Sequence, residues 1–455
     1  MMRAARGIAV ALALLATFAA RAADALPGDE DLRGILKARV EARRAVGLVA
    51  GTTDASGRHL AAAGTLVAGG SRPVDGASLF EIGSLTKLFT TLLLADMVVR
   101  GEVALDDPVR KFLPATVNVP KFAGKDITLG QLASHASGLP RMPKNLHARD
   151  DENPYADYTV ANLYEDLAEM PGAQQLASDA ERYSNLGVAL LGHALALRSG
   201  KDYESLLRER VLLPMGLRDV AIKLDAAAKA RFAMPHHATL VPSTPWDLPV
   251  FAAAGALHAS AEDLLAFAEA ELGLKATSLA AAIRLQQTPI DATHALGWLL
   301  QGDHVLMHLG ATGGTVSFIA LDTRARRAVV VMGNSANAIV DIGNHLFDPS
   351  LPLKSPEPQA VHVARPLADP ASFDAFVGVY RLAPTFSIAV TREGERYFAQ
   401  ATNQPRIEIL PMGADAFFLK PVEATMTFVR DGEGRVTHLM LDQNRRVQRA
   451  NRVAP

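Results

Sequence analysis

The chain has 455 residues, 49% of them hydrophobic and 21% charged, so it can bury a large core without covalent staples and has room for two or three domains. A formal net charge of −2 supplies no basic surface for nucleic acid or for an anionic membrane. With no cysteine at all, disulfides and a cysteine-linked lipid anchor are excluded.

Arg3 and Arg6 precede an apolar run over 7–20, and Ala20-Arg21-Ala22 follows as a small-x-small site. This is the pattern of a cleaved export signal, and the run is too short to span a bilayer. The expected mature chain starts after Ala22 and is periplasmic or secreted, with no stable membrane span. Losing Arg3, Arg6 and Arg21 and no acid takes its charge from −2 to −5.

Residues 46–63 read as two strands around the turn Asp54-Ala55-Ser56-Gly57. Leu79-Phe80-Glu81-Ile82 is strand-like, Gly83 permits a tight turn, and Leu88, Leu92 and Leu93 then recur at helical spacing. Ser84 and Lys87 lie three apart at the start of that helix and share a face. A serine hydroxyl needs a neighbour to take its proton. A lysine can do so when burial and the helix dipole lower its pKa. The stretch from 84 to about 289 reads as mainly helical, with loops at 114–125, 140–154 and 235–249.

From Leu296 the period changes. Residues 296–300, 315–321 and 328–332 read as an antiparallel meander able to pair with 46–63 in one sheet. Six prolines between 348 and 370 mark a linker. Beyond it, short runs at 386–390, 397–401, 417–419, 426–429 and 436–441 predict a small all-β barrel or sandwich over 371–455. His304 and His308 are four apart, but on a strand that spacing does not converge on a metal. His236-His237 sits in a loop without an acidic cluster, and Gly313-Gly314 lacks a phosphate-loop context. No metal or cofactor is expected. His135 reads as bracing a turn.

Three elements stand in order: Ser84-Leu85-Thr86-Lys87, Tyr183-Ser184-Asn185 and His308-Leu309-Gly310. Around them lie Glu81-Ile82-Gly83, Ser134-His135-Ala136-Ser137-Gly138-Leu139-Pro140 and Gly310-Ala311-Thr312-Gly313-Gly314. Together they resemble the serine β-lactamase/DD-peptidase superfamily, in its class C and carboxypeptidase-like branch, over about residues 30 to 345. The resemblance implies an α+β fold: an antiparallel sheet flanked by helices, with a helical lobe inserted. The all-β segment is similar to the barrel appended to some members. The implied organisation is a signal over 1–22, a hydrolase domain over 23–347, a linker over 348–370 and the β domain over 371–455.

By the same resemblance Ser84 would form an acyl-enzyme and Lys87 would take its proton. Tyr183 would be a second acid/base, its phenolate favoured by cationic neighbours. Asn185 would hold Lys87 and donate to a substrate carbonyl. His308 would supply positive charge or bond a substrate carboxylate. The backbone N–H groups of Ser84 and Ala311 would form the oxyanion hole, with Gly310 and Thr312 contacting substrate. His308 and Leu309 stand where class C β-lactamases have lysine and threonine, so a hydroxyl for the substrate carboxylate is missing at 309, unless Thr312 or Thr315 compensates. The implied activity is an exported, penicillin-recognising serine acyl hydrolase of D-alanyl-D-alanine carboxypeptidase type, acting on a small molecule or peptide. The alternatives are a class C-like β-lactamase, an esterase or D-amino-acid amidase, and an acylatable β-lactam sensor with little turnover.

Overall fold

The computed structural model describes residues 26–172, 182–360, 362–443 and 446–453. The expected export signal lies outside them. The described residues form two compact units, one within 26–236 and 242–357, the other within 358–453 together with 237–241.

In the first unit helix α1 (Asp29–Glu41) leads into β1 (Gly47–Asp54) and β2 (Gly57–Gly64), the hairpin expected around Asp54. A meander follows much later: β5 (Leu299–Gln301), β6 (Val305–Ala311), β7 (Val316–Asp322) and β8 (Arg327–Gly333). These six strands form one antiparallel sheet in the order β2-β1-β8-β7-β6-β5. The central strands are apolar on consecutive residues because both faces are covered. Val329 and Val331 join α1 and α7 (Val340–Phe347) in one core. Val330 and Met332 face the other way, into the large core shared with the helical lobe. The 296–300 run becomes strand only at Leu299. Before it, Ala295 N donates to Trp298 O and Leu296 N to Gln286 O, a turn that diverts the ladder.

The lobe contributes α2 (Thr86–Val99), α3 (Asn185–Ser199), α4 (Ala252–Gly255), α5 (Ala261–Glu271) and α6 (Ala280–Gln287), with shorter helices between them. Helix α2 is buried on every side from Thr86 to Met97. It is the core helix of the unit, which is why its sequence is apolar without a polar stripe. The predicted strand before Ser84 is only β3 (Phe80–Glu81), paired with β4 (His258–Ala259). A tight helical turn, Gly83–Leu85, joins β3 to α2. Gly83 has φ +51°, and a Cβ there would lie 2.7 Å from the Ala311 backbone. Only glycine meets both demands.

The second unit is a closed eight-stranded barrel, β9 (Gly378–Ala383) to β16 (Arg446–Arg452), each strand pairing with the next and β16 closing on β9. The five strands expected from the sequence are present as β10 (Phe386–Glu393), β11 (Arg396–Ala401), β13 (Ala416–Leu419), β14 (Ala424–Arg430) and β15 (Val436–Gln443). Three others, β9, β12 (Arg406–Pro411) and β16, lie outside those five runs. In β16 only Ala450 is buried, and in β9 only Tyr380. Phe373, Phe376, Tyr380, Tyr397, Phe417 and Phe428 fill the interior.

Strand β6 packs directly on the β3–α2 turn. A Cβ at Gly310 would lie 2.0 Å from Ile82 O and 2.2 Å from Ser317 Oγ, itself bonded to Ile82 O. Gly310→Ala is therefore expected to force β6 away from the turn at a cost of about 1–3 kcal/mol. A thermal midpoint equal to that of the parent protein would refute this packing.

Candidate active site

The turn Gly83–Leu85 and the first residues of α2 place Ser84 and Lys87 side by side. Lys87 Nζ lies 2.8 Å from Ser84 Oγ and donates to Ala254 O, on α4, at 2.6 Å. The amine is fully buried. Burial, and then the charge of Arg141, hold its pKa well below the usual lysine range. An uncharged amine beside a hydroxyl can accept that hydroxyl's proton.

Tyr183 precedes α3, and its hydroxyl is near enough to Ser84 for that hydroxyl to lower its pKa. Ser184 caps α3, accepting from Gly187 N at 2.8 Å, and its hydroxyl donates to Pro140 O at 2.7 Å. That cap fixes the tyrosine backbone beside the 135–141 loop. Around the Tyr183 ring stand Lys87 Nζ and Arg141 Cζ, each 4.9 Å from its centre. The His135 ring centre lies at 4.4 Å and that of His308 at 6.4 Å. Burial outweighs the Ser84 bond and the Arg141 charge, and pushes the Tyr183 phenol up to about 12. The resting group is a phenol, not the phenolate that cationic neighbours suggested.

The expected positive charge on His308 is also corrected. Burial, reinforced by Lys87, lowers its pKa to about 3. Its Nδ1 lies 2.8 Å from Leu309 O. A carbonyl only accepts, so Nδ1 carries the proton and Nε2 keeps a lone pair. His135 is likewise held neutral, by burial first and then Lys87. Its Nδ1 accepts from Ser184 N at 3.2 Å, so it braces the Tyr183 segment as well as its own turn.

Asn185 lines the cleft with Ser84, Gly83, Met142, Tyr155, Trp246 and Ala311. It does not tether Lys87: the two bonds of that amine go to Ser84 and Ala254, while Asn185 Nδ2 lies 3.5 Å from Met142 Sδ. Gly310 and Ala311 run along the β3–α2 turn, which brings the Ala311 amide next to Ser84. Leu309 packs on the opposite face of the sheet, in the core under α1. Thr312 lines the cleft, yet its hydroxyl donates to Glu81 Oε2 at 2.6 Å. The Thr315 hydroxyl donates to Glu81 O at 2.8 Å. Neither threonine proton therefore stands free to replace the hydroxyl missing at 309.

Glu81, Arg141 and Trp246 were not anticipated from the sequence. Arg141 follows directly on the Gly138-Leu139-Pro140 stretch, whose spacing from Tyr183 holds no sign of contact. Its carbonyl accepts from Asn185 N and Leu186 N at 3.0 and 3.3 Å, so it is Arg141 that ties that loop to α3. Among the described residues no cluster of metal-ligating side chains occurs, and no helix is long and apolar enough to cross a membrane.

The Beta-lactamase family model matches residues 32–344, and residues 364–452 match a Domain of unknown function, DUF3471. The chain is 25% identical over 394 residues to Penicillin-binding protein 4* of Bacillus subtilis, covering 78% of this chain and 84% of that one. D-alanyl-D-alanine-carboxypeptidase/endopeptidase AmpH of Escherichia coli is 37% identical over 145 residues, 31% of this chain and 36% of that one. Among solved structures, a class C beta lactamase from Rhodobacter sphaeroides superposes with a TM-score of 0.58 at 24% identity, over 69% of this chain and 98% of that one; this likeness concerns the fold. A family match that spans most of the chain and holds all three motif elements places this protein in the beta-lactamase family, within the serine β-lactamase/DD-peptidase superfamily, as a serine hydrolase.

Proposed function

We propose that the protein is an exported acyl hydrolase that forms an acyl-enzyme on Ser84 and acts on penicillins or D-alanyl-D-alanine peptides. The observation that carries this is the 2.8 Å contact between Ser84 Oγ and the buried amine of Lys87. Lys87, neutral at rest, takes the serine proton as the hydroxyl attacks a carbonyl carbon. Backbone N–H groups of Ser84 and Ala311 receive the developing oxyanion. Tyr183, a phenol beside Ser84, delivers a proton to the leaving group and later helps to activate water. Arg141, permanently charged beside the Tyr183 ring, favours any negative charge passing through that phenol. Asn185, on the cleft wall, binds the acyl-side amide. Export rests on the leader over 1–22.

A second substrate reading is supported by the third motif. His308 is uncharged, Leu309 faces away, and the Thr312 proton is held by Glu81. While Glu81 is ionised, this side of the cleft offers no free donor of its own side chains to a carboxylate. Esters and amides without a carboxylate next to the scissile bond suit it better than β-lactams do.

Lys87→Ala is expected to lower Ser84-dependent ester hydrolysis by about 10²–10⁴-fold. Loss of less than tenfold, in single-turnover kinetics on the folded variant, would remove Lys87 as the base. Incubation with a penicillin is expected to add one drug mass to the parent protein and none to Ser84→Ala. In a time course of intact mass, a persistent adduct marks a peptidase and a transient one with drug hydrolysis marks a β-lactamase. A folded protein that takes up no penicillin but hydrolyses neutral esters selects the esterase or amidase reading.

A further inference from the structure

Three residues before Ser84, a carboxyl group is sealed into the wall of the cleft with no cation to balance it. Glu81 is 4% exposed. Its Oε1 accepts from Trp246 N at 2.7 Å and its Oε2 from Thr312 Oγ1 at 2.6 Å. Both partners line the cleft beside Ser84. Among the described residues no lysine, arginine or histidine forms an ion pair with it. Buried carboxylates are ordinarily paired, so an unpaired one next to a nucleophile calls for a role.

We propose that Glu81 sets the direction of the Thr312 hydroxyl, and that protonation of Glu81 turns Thr312 into a donor for a carboxylate carried beside the scissile bond of the acyl donor. The proposal rests on the acyl-enzyme reading of Ser84. Its logic is proton bookkeeping along one short chain of hydroxyls. An ionised carboxylate only accepts, so Thr312 must give it the single hydroxyl proton. The Thr315 proton goes to Glu81 O. Thr312 then shows lone pairs to the cleft, backed by a buried negative charge, and an incoming carboxylate is repelled. A protonated Glu81 donates to Thr312 Oγ1 and keeps Oε1 as acceptor for Trp246 N. The Thr312 proton is released and the negative charge is gone; the hydroxyl then turns between Thr315 Oγ1, 2.8 Å away, and an acceptor that a substrate brings into the cleft.

Burial raises Glu81 to about 7, against the lowering effect of its two hydrogen bonds. The acid form therefore prevails below neutrality and the carboxylate above it. The other titratable groups nearby do not mimic this change. His258, the strand partner of Glu81, is kept neutral by burial. Tyr155, packed on Trp246, is raised as a phenol by burial. Both ring nitrogens of His236, next to Gly314, are bonded, to Asn334 O and Ala68 N. His308 is lowered by burial to about 3, Lys87, whose pKa burial also lowers, acts equally on both esters compared below, and Asp247 is exposed to water.

The test uses two phenyl esters of one acyl group, one with a carboxylate on the leaving phenol and one with that carboxylate methylated. The ratio of their kcat/KM values cancels the common chemistry of Ser84, Lys87 and Tyr183. In the parent protein this ratio is expected to rise about tenfold as pH falls through the Glu81 range, the worth of one hydrogen bond to a charged group. In Glu81→Gln the amide donates to Thr312 at every pH, so the ratio stays high and flat. In Thr312→Val the donor is absent, so the rise shrinks to the smaller part owed to loss of the Glu81 charge alone. A flat ratio in the parent, or a Glu81→Gln ratio that follows the parent curve, overturns the proposal. Infrared difference spectra across the same pH range give a reading that needs no substrate. A protonated carboxyl band that titrates near neutrality in the parent and is missing in Glu81→Gln is expected. Glu271, buried and raised to about 8, is common to both proteins and cancels. No such band overturns the proposal. A band together with no turnover of either ester instead refutes the acyl-enzyme reading and leaves the protonation of Glu81 standing.

Discussion

Everything at this site depends on burying the amine of Lys87. A lysine without water is tolerable only when neutral or fully bonded, and here its donors end on Ser84 Oγ and Ala254 O. The second bond requires α4 to lie against α2, and the polar residues of α2 bring that about. Thr90 Oγ1 is 2.6 Å from Ala253 O and 2.6 Å from Tyr203 Oη. Thr86 Oγ1 accepts from Leu257 N at 3.2 Å. On the other side Gln286, from α6, donates to Leu88 O at 2.7 Å and Thr91 Oγ1 at 2.8 Å. A helix buried all round would otherwise be free to slide or turn among apolar neighbours. These hydroxyls fix its register, and so fix where the amine sits. The same burial that would cost stability for a charged lysine makes the neutral amine a base.

The barrel shows a different constraint, since a closed sheet must find a last seam. Between β16 and β9 the register is short, with Asn451 opposite Arg381 and Arg452 opposite Tyr380. Arg452 supplements that seam. Its guanidinium donates to Val377 O at 2.7 Å and Ala375 O at 3.0 Å, and it lies 6.0 Å from the Tyr380 ring centre. Tyr380 in turn donates to Phe376 O at 2.7 Å. Closure and the aromatic core are thus fastened at one corner. The core of this unit is made from its own residues, and the Beta-lactamase match ends at residue 344, before it begins. All the groups proposed to take part in acyl transfer belong to the first unit.

How much of this was legible in the sequence follows from how local each feature is. Ser84 and Lys87 meet because a helix brings positions three apart together, so their contact could be read directly. The uninterrupted Ala328-Val329-Val330-Val331-Met332 run announced a strand covered on both faces. The β9, β12 and β16 strands gave no such signal, because one face of a small barrel is wet and their inward positions hold single residues such as Tyr380 and Ala450. Glu81, His135 and Arg141 act through partners 231, 49 and 42 positions away, and only the packed chain sets such contacts. The charge states of Tyr183 and His308 were misread for a related reason. The resemblance implied cationic company for Tyr183 and charge on His308, but burial, which no motif records, dominates their titration.

That dominance of burial gives the cluster its character. Lys87, His135 and His308 are all potential cations, and gathering them around the one Tyr183 ring would be ruinous if each kept its proton. Desolvation and mutual repulsion remove those protons together. Guanidinium alone resists, since its intrinsic pKa lies too high for burial to reverse, and Arg141 is the permanently charged group at the Tyr183 ring. The charge sits over the phenol rather than on the β6 wall of the cleft, where His308 is neutral. A site so arranged favours negative charge arising on Tyr183 or Ser84 during reaction over negative charge that a substrate brings with it. Discrimination on the β6 side is then left to whatever governs the nearest hydroxyl, and the nearest one, on Thr312, is bonded to a carboxyl group whose own charge is finely balanced near neutrality.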